Sequence, residues 1–422
     1  MPPPPLSFTP PDRALPPPGE PVRRRQVFYL PGYDPDATRR YRSLFVREFT
    51  RYAKRFAIAR KAVSPLVAAP DGLSQTWTVE VETPDWSTTT LYEVLLWDDL
   101  VNEDSRRPVV VSVVMLVRGM LHLAATGTLL RVYRLSPKFG NVMVYPFVAS
   151  LLVAASAVAV AGLAAWLGRV AGLPSWAAGL AGIAAAAGAV GVVARHLDRV
   201  FFWQLLHDFN FHWQHARGRR GDYEARLARF AAQVADRVGA VRADEVMFIG
   251  HSTGAMTALE VAARALAADP SLGDPARPVA RVTLGSALPF VAVQPEARRL
   301  RAEVADLVAS ERATWVDYQA PQDWMNFPGF NPVRDLRLAR PARMLNPFVR
   351  SARYRDVMEP AAYEKIKMRP FRLHFQFLMA NDRPGEYDFF ALTLGPQRLL
   401  DRIWTPLVAP PNPSRSGGGP SP

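Results

Sequence analysis

The stretch "DEVMFIGHSTGAMTALEVAARAL", Asp244 to Leu266, places one serine between two glycines. Apolar β-forming residues precede Gly250, and helix-forming residues follow Gly254. This order predicts a strand, a sharp turn at Ser252 and a helix. Such a turn lifts the serine hydroxyl above the end of the sheet, and its two glycines keep strand and helix from colliding. Ser252 is therefore the candidate nucleophile.

Further short apolar runs predict a sheet around this strand. A helix predicted over residues 222–241 leads into the strand, so strands and helices alternate. This alternation is typical of an α/β fold with a mostly parallel sheet covered by helices on both sides. A run at 90–100, "TLYEVLLWDDL", either continues the sheet or starts a helix. The predicted strands are "RQVFYL" (25–30), "TWTVEVET" (76–83), "ARVTLGSALP" (280–289), "ATWVDYQAP" (313–321) and "RPFRLHF" (369–375).

Composition narrows the possible classes of function. The chain has no cysteine, which excludes disulfides, thiolate catalysis and cysteine-bound zinc. Its net charge of +13 favours an anionic partner, either nucleic acid or a membrane surface. No nucleic-acid motif is visible, and long uncharged stretches favour the membrane. The Pro-rich arm (1–25) and the tail (405–422) are predicted to be disordered, and the arm is not a signal peptide.

Two uncharged segments predict a transmembrane hairpin. Residues 142–167 and 176–194 are each long enough to cross a bilayer, and a turn around Pro174 joins them. Small residues would allow the two helices to approach closely, either Ala178 with Gly182 or Ala184 with Gly188. The preceding apolar run, 108–135, contains Arg118 and His122 and is expected to form an interfacial or buried helix.

The charges that flank the hairpin predict its orientation. Arg131, Arg134 and Lys138 precede it, and Arg195 and Arg199 follow it, whereas the turn contains only Arg169. The positive-inside rule then places both flanks, and the rest of the chain, in the cytoplasm. In a bacterium this membrane would be the inner membrane. A helix predicted over 36–62 also has a basic outer side, Arg40, Arg47, Arg51 and Arg55, which either is solvated or contacts the membrane surface.

A serine hydroxyl is a poor nucleophile without a base. Of the seven histidines, only His374 follows Ser252 in the chain. His251, directly before the serine, should point away from the attack site. An acid between the two should orient the imidazole. Asp323, in the loop after a predicted strand, is preferred over Asp317 within that strand. The weaker candidates are Asp335, Asp356 and Asp382.

These motifs resemble those of the α/β-hydrolase family, especially its lipases and esterases, over residues 26–107 and 201–404. The resemblance implies a serine hydrolase with Ser252, Asp323 and His374 as a triad and an acyl-enzyme intermediate. It also implies an oxyanion hole formed by the backbone N–H groups of Thr253 and Tyr33. Two features depart from the family: the usual His-Gly of the oxyanion turn is Pro31-Gly32, and residues 108–200 insert a membrane hairpin.

The sequence therefore predicts a membrane-anchored serine esterase that needs no cofactor or metal. Its partners would be the bilayer and an ester or acyl-lipid substrate, without nucleic acid. The same triad could instead transfer the acyl group to another acceptor, or the fold could serve as a non-catalytic membrane scaffold. A metal-dependent oxidase is a further alternative, because "HDFNFHWQH" (207–215) brings three histidines close in sequence.

Overall fold

A computed structural model describes residues 7–14, 19–275, 277–339 and 341–404. Within these residues, one sheet contains every strand. Its strands are β1 (Arg24–Leu30), β2 (Arg60–Val63), β3 (Val67–Ala68), β4 (Ser74–Glu82), β5 (Ser87–Leu95), β6 (Glu245–His251), β7 (Val279–Leu284), β8 (Ala313–Gln319) and β9 (Phe348–Ser351).

The sheet is mostly parallel. Its strand order is β2-β4-β5-β1-β6-β7-β8-β9, and the short β3 pairs with β4. The six strands from β5 to β9 in this order run parallel, whereas β4 is antiparallel to β5 and β2 is antiparallel to β4. In the centre, Phe28 of β1 lies opposite Glu93 of β5 and Phe248 of β6. The predicted α/β fold with a mostly parallel sheet is confirmed.

The central strands are apolar because both faces of the sheet are covered. Val27, Phe28, Met247, Phe248 and Val282 are all fully buried. Burying each such side chain contributes about 1.5–3 kcal/mol relative to leaving it in water. The strand that leads to Ser252 is therefore held firmly on both sides.

Helices make up most of the remaining described chain. They are α1 (Ala37–Arg55), α2 (Asp98–Ser105), α3 (Val109–Ala125), α4 (Thr128–Leu135), α5 (Pro137–Val170), α6 (Ser175–Leu197), α7 (Phe202–Ala216), α8 (Gly221–Ala240), α9 (Thr253–Ala268), α10 (Leu288–Ala292), α11 (Arg298–Ala309), α12 (Pro332–Asp335), α13 (Tyr354–Val357), α14 (Pro360–Ile366), α15 (Pro370–His374), α16 (Phe389–Leu394) and α17 (Leu399–Trp404). The run at 90–100 both continues the sheet and starts a helix, since β5 ends at Leu95 and α2 begins at Asp98.

The predicted strand at 369–375 is wrong. Residues Pro370–His374 form the short helix α15, and a 3-10 turn, Phe375–Leu378, follows it. Proline is favoured at the first position of a helix, where its missing N–H has no intrahelical partner. Leu373 and Phe377, four residues apart, are both fully buried, as one face of a helical turn would place them.

The chain divides into two compact units, residues 102–215 and the rest. The predicted insertion, 108–200, lies within the smaller unit, which also includes residues 102–107 and 201–215. Because this unit enters the chain between β5 and β6, it interrupts the sheet in sequence. In space β1 joins β5 to β6 without a break.

Two helices of the smaller unit are long and apolar enough to cross a membrane. They are Pro137–Val170 and Ser175–Val200, somewhat longer than the predicted spans. A helix of 34 residues extends about 51 Å, more than the roughly 30 Å of a bilayer core. Large apolar side chains project outward along both helices, among them Leu152, Val158, Trp166, Ile183 and Val192.

One of the two predicted small-residue pairs packs the hairpin. Ala178 and Gly182 are buried, and a Cβ on Gly182 would collide with the carbonyl oxygen of Ala161. Ala184 and Gly188 are exposed, and an added Cβ on Gly188 would meet nothing within 4 Å. The close approach is therefore confined to the half of the hairpin nearer the turn.

The run at 108–135 forms two helices, α3 and α4, rather than one. Gly127, with a φ of 69°, allows the chain to turn between them. The inner face of α3 buries Leu116 and Leu123 completely, whereas Val110 and Leu121 on its outer face are 73% and 63% exposed. The helix is thus apolar on both sides, although only one side is covered by protein.

The basic side of α1 is paired with carboxylates. Arg40 contacts Asp34 at 2.7 Å, Arg47 contacts Glu48 at 2.9 Å and Arg55 contacts Glu359 at 3.3 Å. Arg51 pairs with Asp382. These ion pairs favour a solvated face over a membrane contact for this helix.

Part of the Pro-rich arm has a defined position, unlike its predicted disorder. Phe8 exchanges two backbone hydrogen bonds with Val349 of β9, at 3.0 and 2.9 Å, and extends that edge of the sheet. The backbone N–H of an edge strand needs a partner, which Phe8 supplies. The predicted disordered tail, 405–422, lies outside the described residues.

Candidate active site

The turn at Ser252 joins β6 directly to α9. Ser252 has φ 60° and ψ −126°, a conformation that residues other than glycine seldom adopt. Its N–H donates to the carbonyl oxygen of Leu284 at 2.9 Å, and its own carbonyl accepts from the N–H of Ala287 at 3.2 Å. The strained backbone is therefore fixed to the end of β7. Strain of this kind clusters at functional sites.

The two glycines of the turn are required by close backbone packing. A Cβ on Gly250 would overlap the carbonyl oxygen of Gly254, and a Cβ on Gly254 would overlap the carbonyl oxygens of Leu30 and Pro31. The first contact joins strand to helix, and the second joins the helix to the early turn after β1. The predicted reason for the glycines is therefore confirmed.

His374 and Asp323 are brought together, as predicted for a base and its orienting acid. Nδ1 of His374 lies 2.6 Å from Oδ2 of Asp323, and both side chains are buried. Asp323 also accepts from the side-chain amide of Asn326 and from the N–H of Met325, each at 3.0 Å. An acceptor at Nδ1 keeps the proton there, so Nε2 carries the free lone pair.

Asp317 lies elsewhere in the sheet. Its carboxylate accepts from the Thr283 hydroxyl at 2.5 Å and from the Gln319 amide at 2.7 Å. Burial raises the pKa of Asp317 above its ordinary value. The weaker candidates are also engaged away from His374, since Asp335 pairs with Arg334, Asp356 with Arg353 and Asp382 with Arg51.

The His374 imidazole adjoins the serine turn without a hydrogen bond to Ser252. A Cβ on Gly285, which follows the Leu284 acceptor of the Ser252 N–H, would lie 3.1 Å from Cε1 of His374. Nε2 of His374 is buried and has no hydrogen-bond partner among the described residues, including the Ser252 hydroxyl. Catalytic hydrogen bonds are often long before substrate binds. The predicted contact between serine and imidazole is therefore not formed in this state.

The early turn lies against the serine. A Cβ on Gly32 would come within 3.3 Å of Ser252 Cβ and 3.8 Å of Ser252 Oγ. Trp97 donates from Nε1 to the carbonyl oxygen of Pro31 at 3.0 Å, and the Tyr33 ring packs edge-on against Trp97. Thr253 begins α9, at the positive end of the helix dipole. Thr253 therefore directly follows Ser252, and Tyr33 directly follows Gly32, the residue that lies against Ser252.

Two residues of the site were missed by sequence reasoning. Asn326 braces Asp323 and also donates to the carbonyl oxygen of Ala320 at 3.0 Å. An asparagine three residues after an aspartate, as in "DWMN", is a local pattern that could have suggested this turn. His251, expected to point away from the site, instead contacts His374 through Nε2, which lies 3.1 Å from the His374 carbonyl oxygen.

The histidines of 207–215 do not form a shared site with one another. All three lie on α7, where His212 contacts Asp208 at 3.3 Å and the His215 ring stacks on Phe211. Burial lowers the pKa of His212 to about 3. Within the described residues of 102–215, no three metal-ligating side chains bring their ligand atoms within 4.8 Å of one another.

Comparisons of the chain with protein-family models, with curated proteins and with solved structures find no match. A strained serine, a buried acid–imidazole pair and a backbone turn packed on the serine are the parts from which serine hydrolases are built.

Proposed function

We propose that the chain is a membrane-anchored serine hydrolase of the α/β-hydrolase type that cleaves carboxylic esters. The observation that carries this proposal is the 2.6 Å contact between Asp323 and His374, beside a serine in a strained strand-to-helix turn. The order Ser252, Asp323, His374 is the order of the triad in α/β-hydrolases. The acid also follows the end of a parallel strand, β8, as in a site built at the carboxyl edge of a sheet.

The reaction follows from the tautomer of the imidazole. Nε2 of His374 takes the proton of Ser252 as Oγ attacks the acyl carbonyl, and Asp323 stabilises the imidazolium. The backbone N–H groups of Thr253 and Tyr33 donate to the resulting oxyanion. The imidazolium then returns its proton to the alcohol that leaves. A water, activated in the same way, releases the acid and restores the serine.

The membrane-length hairpin supports a substrate class. An enzyme anchored in a bilayer meets esters that partition into the bilayer at high local concentration, so we propose lipid-like or acylated esters as substrates. The arginines on both flanks of the hairpin, with only Arg169 at the end of α5 next to the turn, support a catalytic unit in the cytoplasm. Trp166 and Trp176, both exposed near the turn, suit the opposite membrane interface. The exposed apolar face of α3 suits an interfacial position.

A fluorophosphonate probe tests the proposal. The Ser252 oxygen would attack phosphorus and displace fluoride, leaving a stable phosphonyl ester. We expect the wild type and Ser286→Ala to be labelled, because the Ser286 hydroxyl instead accepts from the N–H of Leu288 at 3.1 Å. Ser252→Ala should not be labelled. A folded wild type that resists the probe would favour the scaffold alternative.

Ester hydrolysis and acyl transfer are distinguished by their products, measured on the same preparation. A panel of esters with increasing chain length is offered with and without an added alcohol acceptor. We expect free acid as the main product in both conditions. Acylated alcohol in place of acid would show that the triad transfers acyl groups, and equal rates at all chain lengths would remove the argument for lipid-like substrates.

A further inference from the structure

His251 occupies the last position of β6, directly before Ser252. Its side chain is 1% exposed. Nε2 lies 3.1 Å from the backbone carbonyl oxygen of His374, and the two imidazole ring centres are 4.3 Å apart with 38° between the ring planes. The rings of Phe375 and Phe377 pack around it at 5.5 and 5.9 Å. The side chain therefore reaches the base rather than solvent.

The carbonyl oxygen of His374 determines which ring nitrogen of His251 carries the proton. A carbonyl oxygen can only accept, so Nε2 of His251 must carry the proton. Burial and the adjacent His374 hold the pKa of His251 well below its ordinary value, so the ring is neutral. No second positive charge is therefore placed beside His374 when it takes a proton from the serine. The contact is a permanent neutral hydrogen bond rather than a titrating one.

This hydrogen bond connects the proposed nucleophile, Ser252, to the proposed base, His374. His251 is covalently adjacent to the nucleophile, and its partner is the backbone of the base. Asp323 holds the opposite end of His374 through Nδ1 at 2.6 Å. The short helix α15 and the turn after it contain few internal hydrogen bonds to hold His374 by themselves, because α15 has only five residues. Two anchors, one on the ring and one on the backbone, are needed to fix the imidazole.

Resting on the proposed hydrolase function, we propose that His251 is a positioning residue, which ties the backbone of His374 to the serine turn and so sets the distance between Nε2 and Ser252 Oγ. The imidazole is thereby placed from the strand that bears the nucleophile as well as from the loop that bears the acid. A misplacement of about 1 Å in such a pair costs about 100-fold in rate.

Two substitutions separate the hydrogen bond from the packing. His251→Phe keeps an aromatic ring between Phe375 and Phe377 but removes the donor. His251→Gln places an amide donor near the position of Nε2. We expect the second-order rate of fluorophosphonate labelling to fall about 10- to 100-fold in His251→Phe and to stay within about threefold of wild type in His251→Gln.

The rate is measured per folded molecule across pH 5 to 9, with thermal unfolding followed in parallel. A purely structural role would lower the folded fraction in both variants and leave the rate per folded molecule unchanged. A positioning role lowers the plateau of the rate in His251→Phe. It also changes the downfield proton resonance of the His374 Nδ1–H that is bonded to Asp323.

The outcomes distinguish this inference from the function on which it rests. If the wild type is not labelled at Ser252, the hydrolase proposal fails first. If the wild type is labelled and His251→Phe reacts at the same rate per folded molecule, the positioning role is wrong and the hydrolase proposal stands. Equal losses in His251→Phe and His251→Gln would also overturn it, since the donor would then be irrelevant.

Discussion

Three donors converge on the buried carboxylate of Asp323: the His374 ring, the Asn326 amide and the N–H of Met325. Together they fix the direction in which the acid faces. Asp317 is also buried, but its carboxylate accepts hydrogen bonds from Thr283 and Gln319. At the scale of single residues, the difference between the proposed catalytic acid and the other buried acid is therefore the identity of the donors.

Substituting each acid with its amide exploits this difference. Asp323→Asn should lower fluorophosphonate labelling by about 10³- to 10⁴-fold, because an amide favours the wrong tautomer of His374. Asp317→Asn should label within a few-fold of wild type, since the Asp317 carboxylate bonds to Thr283 and Gln319 and not to the imidazole. Labelling rates of the two folded variants provide the comparison. Near-normal labelling of Asp323→Asn would remove it from the triad.

The elbow glycines make a second prediction at this scale. Gly254→Ala places a methyl group on the carbonyl oxygens of Leu30 and Pro31 and should lower the free energy of unfolding by about 1–3 kcal/mol or more. Gly239→Ala, near the end of α8, meets nothing within 4 Å and should raise it by about 0.4–1 kcal/mol. Urea unfolding measures both. If the two alanines behave alike, the packing argument for the turn is wrong.

At the scale of elements, the sequence pattern predicted the long strands and helices, in which apolar residues form a strong pattern. The strand and helix on either side of Ser252, and the two membrane-length helices, are of this kind. It failed at α15, where five residues are too few to show a period, and it could not show that Phe8 would pair with β9. Asp323 and His374 are 51 residues apart in the chain, so only the fold brings them together.

Helices α8, α9 and α11 meet at a cluster of charged side chains. Arg264 of α9 lies 3.0 Å from Glu224 and 3.4 Å from Glu303. Burial, followed by the nearby Glu260 carboxylate, raises the pKa of Glu303 from its ordinary 4.5 to about 7. The folded protein therefore holds this proton more tightly than the unfolded chain, and its stability falls as the pH rises through the interval between these values.

Glu303→Gln removes this contribution because an amide does not titrate. We expect the free energy of unfolding to decline less between pH 5 and pH 8 in Glu303→Gln than in wild type. Urea unfolding at both pH values measures the difference, and Glu311→Gln, an exposed substitution, serves as the control. A steeper decline in Glu303→Gln would show that the arginines outweigh the burial of the acid.

The outer face of α3 makes a prediction about the bilayer. Because the chain has no cysteine, a single introduced cysteine can carry a fluorescent label without background. We expect a label on Val114→Cys to be quenched by lipids brominated in their acyl chains, as on Val158→Cys of the hairpin. A label on Val67→Cys, which is exposed on β3, should be quenched only by aqueous iodide. Equal behaviour of Val114→Cys and Val67→Cys would place α3 in water.

At the scale of the whole molecule, the proposed topology places the hairpin turn and the sheet on opposite sides of the membrane. Leu173→Cys in the turn and Val67→Cys on the sheet should therefore react with an impermeant maleimide from opposite faces of sealed vesicles. Right-side-out and inverted vesicles supply the two conditions. Reaction of both cysteines from one face would contradict a spanning hairpin.

The insertion of residues 102–215 between two neighbours of β1 also has a consequence for biosynthesis. When β5 leaves the ribosome, β1 can pair on one side, but its other partner, β6, is more than one hundred residues away and follows both apolar helices. In the proposed topology, the translocation machinery would therefore receive the hairpin while half of the sheet still has an open edge. Insertion of the hairpin would then come before closure of the sheet, so a delay at the translocon would expose β1 to chaperones and to aggregation.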